Sequence, residues 1–168
     1  MPNPYRVRPA TLADADALVR HRIAMFTDMN IAVDVPALDA MFRAWLAEHM
    51  PAGRYRAWLV ETTDGTIIGG GGLSILPWPP GPRYMSDRLA FVYNVYTEPP
   101  HRRRRVARLL MDVIHAWCRD AGIKSIALNA SRDGRPLYES MGYQVSPNPM
   151  MFFSVAGYNP SAQVTEGD

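Results

Sequence analysis

Arg102, Arg103, Arg104 and Arg105 form an unbroken basic run, and Arg108 follows closely. The run lies where an apolar stretch, from Leu89 through Phe91, Val92, Tyr93 and Val95 to Tyr96, is stopped by Pro99 and Pro100. Beyond it Val106, Leu109, Leu110, Val113, Ile114 and Trp117 recur at helical spacing. The first N–H groups of a helix have no partner within the helix, and the aligned peptide dipoles leave them partly positive. A turn from strand to helix is therefore a ready phosphate site, and guanidinium groups there donate to phosphate oxygens in pairs. The same charges would also suit a solvated face or a nucleic-acid contact, but their place at a helix start rather than in a tail favours a phosphate cradle. His101 adjoins the run and is expected to help bind phosphate or shape the turn. His115 falls inside the helix and is expected to be structural, whereas His21 and His49 lie elsewhere. Cys118 is expected to be a small core residue.

These groups need elements to position them. Tyr5 to Arg8 alternate as a short strand, and Thr11 with Asp14 reads as a capping box before a helix marked by Leu12, Ala15, Leu18, Val19, Ile23 and Phe26. A second helix is predicted after Val35, with Pro36 at its first position, and strands over 54–61 and 66–76 are joined through Asp64 and Gly65. Gly69, Gly70, Gly71 and Gly72 inside the second of these strands predict a bulge or a close backbone approach. The stretch 77–82 is too rich in proline for regular structure, and the strand after it, apolar on both faces, belongs in the middle of a sheet. The long helix is predicted over 103–120, a buried strand over 125–129, a short helix over 134–141, and final strands over 143–145 and 150–155 divided by Pro147 and Pro149. The polar tail, 157–168, is expected to be flexible. The order is β-α-α-β-β-β-α-β-α-β-β, with a parallel strand pair around the long helix.

Residues 97–110 resemble the acetyl-CoA motif of the GCN5-related N-acetyltransferases, Arg/Gln-x-x-Gly-x-Gly/Ala, with Arg102 at its first position and Ala107 at its last. Residues 129–143, with Asn129, Ser131, Tyr138, Gly142 and Tyr143, resemble the later signature of that family, and the likeness extends over 5–155. It implies an α/β fold with a mixed, mostly antiparallel central sheet flanked by helices, a splayed central parallel strand pair, and one domain spanning 1–168. It implies acetyl-CoA as cosubstrate, no metal, and cofactor contacts from Val95, Tyr96, Thr97, Arg102, Arg103, Arg104, Arg105, Val106, Ala107, Arg108, Asn129, Ser131 and Tyr138. Arg105 stands where the family has glycine, so the backbone there must shift or the side chain must point away.

The resemblance further implies direct transfer of acetyl to a primary amine of a small molecule or peptide in a ternary complex. A free backbone N–H in 95–97 would hold the thioester carbonyl, and Tyr138 would protonate the departing thiolate. Glu98 is the candidate base, acting through water; Tyr93 and Asn94, expected on opposite faces of their strand, and a water wire to solvent are the alternatives. Met29, Trp78, Tyr84 and Tyr93 are the candidate acceptor contacts, with Asp28, Asp34 and Arg83 nearby in the loops. A CoA-binding module without catalysis is the rival reading.

Composition narrows the partners. Charged residues make up 20% and the formal net charge is only +2, which argues against a general nucleic-acid binder. One cysteine leaves no disulfide within the chain and no cysteine-based zinc cluster. No apolar run is long enough to span a membrane and no signal core opens the chain, so a cytoplasmic protein is expected. A homodimer would be usual for the family.

Overall fold

The computed structural model describes residues 3–82, 85–153 and 155. The chain opens with β1 (Tyr5–Pro9) and a short 3-10 turn, Leu12–Asp14, that leads into α1 (Ala15–Asp28). There follow α2 (Val35–His49), β2 (Tyr55–Thr62), β3 (Ile67–Pro77) and β4 (Arg88–Thr97). A 3-10 turn at Pro99–His101 precedes α3 (Val106–Asp120), β5 (Ile126–Leu128) and α4 (Arg135–Ser140). The five strands form one sheet in the order of the chain. β1 to β4 pair antiparallel, and β4 and β5 pair parallel across the α3 crossover.

Local sequence accounts for most of these boundaries. The Thr11 side chain and the Asp14 carboxylate form the predicted capping box. Asp34 caps α2, accepting from the Ala37 N–H at 3.1 Å, with Pro36 in the first turn. Gly122 and Gly142 adopt positive φ just past α3 and α4, the usual end of a helix. The sheet separates two apolar clusters. On one side α3 and α4 contribute Val106, Leu110, Met111, Ile114, Cys118 and Tyr138. On the other, Ala17, Leu18 and Val19 of α1 pack with Phe42 and Leu46 of α2 over Tyr55, Ala57 and Leu59 of β2. Each fully buried aliphatic side chain contributes about 1.5–3 kcal/mol.

Three expectations change. The long helix begins at Val106, not at 103, so Arg103, Arg104 and Arg105 belong to the turn before it. No strand forms over the described part of 143–155. Pro147 and Pro149 lack the N–H that a ladder needs, and Met151, Phe152 and Phe153 are exposed. The tail from 156 and the pair Arg83 and Tyr84 lie outside the described residues. Tyr93 and Asn94 do not face opposite ways. Across β3 and β4, Gly72 opposes Tyr93 and Gly70 opposes Tyr96, so Asn94 and Val95 together face the single Gly71. Asn94 absorbs this bulge at φ 58°, and its side chain turns to the α1 and α2 side, where Tyr93 also packs.

The glycines of β3 serve the close approach that their clustering predicts. A Cβ on Gly72 would lie 2.5 Å from the Arg56 carbonyl oxygen and would overlap the Tyr55 ring and hydroxyl. The missing side chain lets the Tyr55 phenol cross β3 and accept a 3.0 Å hydrogen bond from Asn94 Nδ2. Gly72→Ala is therefore expected to destabilise the fold by about 1–3 kcal/mol, read as a lower thermal midpoint by circular dichroism. An unchanged midpoint would contradict this packing.

Candidate functional site

The basic run folds into a turn that leaves its amides open. Arg102 is extended, whereas Arg103 and Arg105 take left-handed backbone conformations, with φ 60° and 63°. Arg105 is the N-cap of α3, yet no side chain caps the helix, and its first internal bond runs from Leu109 N–H to Arg105 C=O at 3.0 Å. Among the described residues, the backbone N–H groups of 103–108 have no hydrogen-bond partner. They sit at the positive end of a helix of 15 residues. This is an anion site by construction, and the arginine side chains of 103–105 extend into solvent around it.

Arg105 resolves the departure from the family's glycine in a definite way. It adopts the conformation glycine favours, so the turn keeps its shape while carrying a side chain. Arg102 is used differently from its three successors. Its Nε donates to the Thr97 carbonyl at 2.9 Å, Nη2 pairs with Asp28, and the guanidinium lies 5.4 Å from the centre of the Tyr96 ring. It thereby ties the end of α1 to the end of β4. Asp28, a candidate acceptor contact, is engaged in that tie, and Asp34 in capping α2. His101 Nδ1 lies 3.2 Å from the Tyr5 hydroxyl, which fixes the turn to β1.

β4 supplies the second part. Its parallel pairing with β5 ends at Val92 with Leu128, although β4 continues to Thr97. From Tyr93 onward, the edge turned toward β5 has no strand partner among the described residues. Val95, Tyr96 and Thr97 stand on this splayed length; Val95 packs toward α3, and Tyr96 faces His21 of α1, with ring centres 5.3 Å apart.

α4 supplies the third part. Arg108 donates from Nη2 to Ser140 Oγ at 2.6 Å, joining the first turn of α3 to α4. Tyr138 is buried in the same cluster as Val106, with its ring edge-on to Tyr143 at 5.7 Å. Burial raises the pKa of its phenol, so it keeps its proton at neutral pH. Its side chain is buried, and none of the hydrogen bonds among the described residues involves its hydroxyl. Ser131 Oγ accepts from the Gly134 N–H at 3.1 Å and shapes the entry to α4, while Asn129 is exposed just past β5. The His115 ring lies 2.8 Å from the Tyr143 hydroxyl and holds that tyrosine. Cys118 is in the core, with its thiol pushed up to about 11 by burial.

The remaining candidates lie on the α1 side. Glu98 Oε1 accepts from Arg20 Nη2 at 3.0 Å and lies 3.5 Å from His21 Nε2. His21 is buried, neither ring nitrogen has a hydrogen-bond partner, and burial lowers its pKa. Tyr93 is half-buried against Phe91, at 4.8 Å between ring centres. Met29 is exposed at the end of α1, and Trp78 begins the loop after β3, where its N–H donates to Asp87 C=O at 2.8 Å. No aromatic contact or hydrogen bond among the described residues joins Met29 or Trp78 to Tyr93. Sequence reasoning missed His21 beside Glu98 and Arg22 beside Asn94. For His21 the signal was position, three residues after Leu18 on the apolar stripe of α1.

A left-handed residue other than glycine costs about 1–2 kcal/mol, partly offset by the greater freedom a glycine loses on folding. Arg105→Gly should therefore leave the thermal midpoint unchanged or raise it by up to roughly 4 °C. A clear fall in scanning calorimetry would show that the Arg105 side chain, not the backbone shape, holds the turn.

In sequence and fold the chain is similar to known acetyltransferases. The model of the Acetyltransferase (GNAT) family matches residues 19–143. A GCN5-related N-acetyltransferase from Ralstonia eutropha JMP134 is 34% identical, over 91% of this chain and 99% of that one, with a TM-score of 0.80. A predicted acetyltransferase from Clostridium acetobutylicum, solved with acetyl-CoA, is 25% identical over 89% of this chain and 96% of that one, with a TM-score of 0.76. A ribosomal-protein-alanine N-acetyltransferase from Brucella melitensis biovar Abortus 2308 shares the fold at 21% identity, over 89% and 99% of the two chains, with a TM-score of 0.67. No curated protein matches the sequence. Among the described residues no helix is long and apolar enough to cross a membrane. With the family model spanning most of the sheet and both helices of the cradle side, the chain belongs to the GNAT family of acetyltransferases.

Proposed function

We propose that this protein is an N-acetyltransferase that moves acetyl from acetyl-CoA to a primary amine of a small molecule or peptide, by direct attack in a ternary complex, in the cytoplasm. The observation that carries the proposal is the set of partner-free N–H groups over 103–108 at the start of α3. Those donors, with Arg103, Arg104, Arg105 and Arg108, would hold the pyrophosphate, and Asn129 and Ser131 would border the same cleft. Bound acetyl-CoA supplies the acetyl thioester. An N–H on the splayed part of β4, within 95–97, would donate to the thioester carbonyl oxygen as negative charge develops there. Tyr138, which burial keeps protonated, would give its proton to the departing sulfur. Glu98, on the opposite side of β4 with Arg20 and His21, would take the amine proton through water. Met29, Trp78, Tyr84 and Tyr93 remain the candidate acceptor contacts.

The test is acetyl-CoA-dependent thiol release over a broad amine panel, together with the thermal shift on adding CoA. Tyr138→Phe is expected to lower kcat by about 10²–10⁴-fold while the CoA-induced shift persists. Wild-type turnover in that variant would take the proton-donor role away from Tyr138. A CoA-induced shift without thiol release from any amine would instead make the protein a binding module.

A further inference from the structure

Arg22 of α1 is half-buried, and its charge has no acidic partner among the described residues. Its guanidinium lies 4.9 Å from the ring centres of both Phe26 and Phe42. Nη1 donates to Asn94 Oδ1 at 2.5 Å, and Nε is buried with no hydrogen-bond partner among the described residues. Arg6, Arg8, Arg20, Arg43 and Arg102 each hold a carboxylate. Arg22 pairs with none among the described residues, and burial pushes its pKa down. A guanidinium does not lose its proton in a protein, so this charge stays, met only by a neutral amide and two ring faces. A desolvated charge without a carboxylate partner is a candidate functional position.

The surroundings are built to hold it. The missing side chain of Gly72 admits the Tyr55 phenol. Tyr55 accepts from Asn94 Nδ2, which turns Asn94 Oδ1 toward Arg22. The left-handed Asn94, at φ 58°, puts that amide on the α1 side of β4. The network therefore ends one residue before the 95–97 segment proposed to hold the thioester. α3 and Tyr138 occupy the other side of the sheet, so an acceptor would approach along α1, past Tyr93 and Arg22.

We infer that Arg22 anchors an anionic oxygen group of the acceptor, a carboxylate or a phosphate, so that the acceptor is an amine bearing an anion rather than a polycationic amine. The inference rests on the acetyltransferase reading. The rings of Phe26 and Tyr93 beside the guanidinium would suit an apolar or aromatic body on the carboxylate form.

Matched pairs test this: L-phenylalanine against L-phenylalaninamide, and phosphoethanolamine against ethanolamine, each with acetyl-CoA and thiol release as the readout. The anionic member of one pair should show kcat/KM higher by about 10- to 100-fold, the range for a hydrogen bond to a charged group. The preferred pair separates carboxylate from phosphate. Arg22→Met should collapse the ratio toward one, and Arg22→Lys should retain part of it, with the CoA-induced thermal shift confirming that each variant is folded. Equal rates within both pairs for the wild type, or a ratio unchanged in Arg22→Met, would overturn the inference. If Arg22→Met does not fold, the wild-type ratio decides. If no amine releases thiol, the acetyltransferase reading fails by itself. The anchor is then judged by calorimetric titration of the CoA-loaded protein with L-phenylalanine and with phosphoethanolamine: binding of either that Arg22→Met or Arg22→Lys weakens supports it, and no binding overturns it.

Discussion

A helix cannot satisfy its own first N–H groups, and in α3 nothing else among the described residues satisfies them. Serine, threonine, aspartate or asparagine usually stands at such a position and closes the end with a side-chain oxygen. Here the position is Arg105, which offers no acceptor and carries positive charge instead. The left-handed turn at Arg103 and Arg105 costs conformational energy, and a buried or capped end would not need it. The open donors, the basic side chains around them and the left-handed turn together suit an anion. The rest of the molecule sets where the other parts of such a ligand would go. β4 arrives at the turn from one side, and α4 is tied to the same first turn through Arg108 and Ser140.

The bulge at Asn94 divides the labour between the two sides of the sheet. It parts β4 from β5 after Val92 and leaves a length of strand edge without a partner. On the α3 side that edge meets Val95, Val106 and Tyr138. On the α1 side it presents Tyr93, Asn94, Tyr96 and Glu98 to His21, Arg22 and Arg20. One irregular residue thus separates the side proposed for the cofactor from the side proposed for the acceptor. The glycines of β3 make this possible, because side chains there would collide with the Tyr55 phenol and with the backbone of the neighbouring strands.

Much of this was legible in the sequence, for local reasons. The cap at Thr11, Pro36 at the head of α2, the glycines after α3 and α4, and the arginine run ahead of a 3.6-residue period all act within a few residues of themselves. The cradle and Tyr138 came from motifs of the same local kind. The misses are non-local. A bulge depends on the register of two strands, so Tyr93 and Asn94 were read as alternating when the chain had inserted a residue. The pairing of Arg22 with Asn94 spans 72 positions, and no periodicity points to it. The strands expected over 143–145 and 150–155 do not form in the described part, where Pro147 and Pro149 remove donors that a ladder would use.

The central claim is that the free amides at the start of α3 receive the CoA pyrophosphate. The direct measurement is an amide ¹H–¹⁵N titration of the ¹⁵N-labelled protein with CoA. The resonances of Val106, Ala107 and Arg108, with Arg103, Arg104 and Arg105 before them, should show the largest downfield shifts and saturate together. CoA binding that leaves these amides unmoved and shifts another part of the protein would contradict the account.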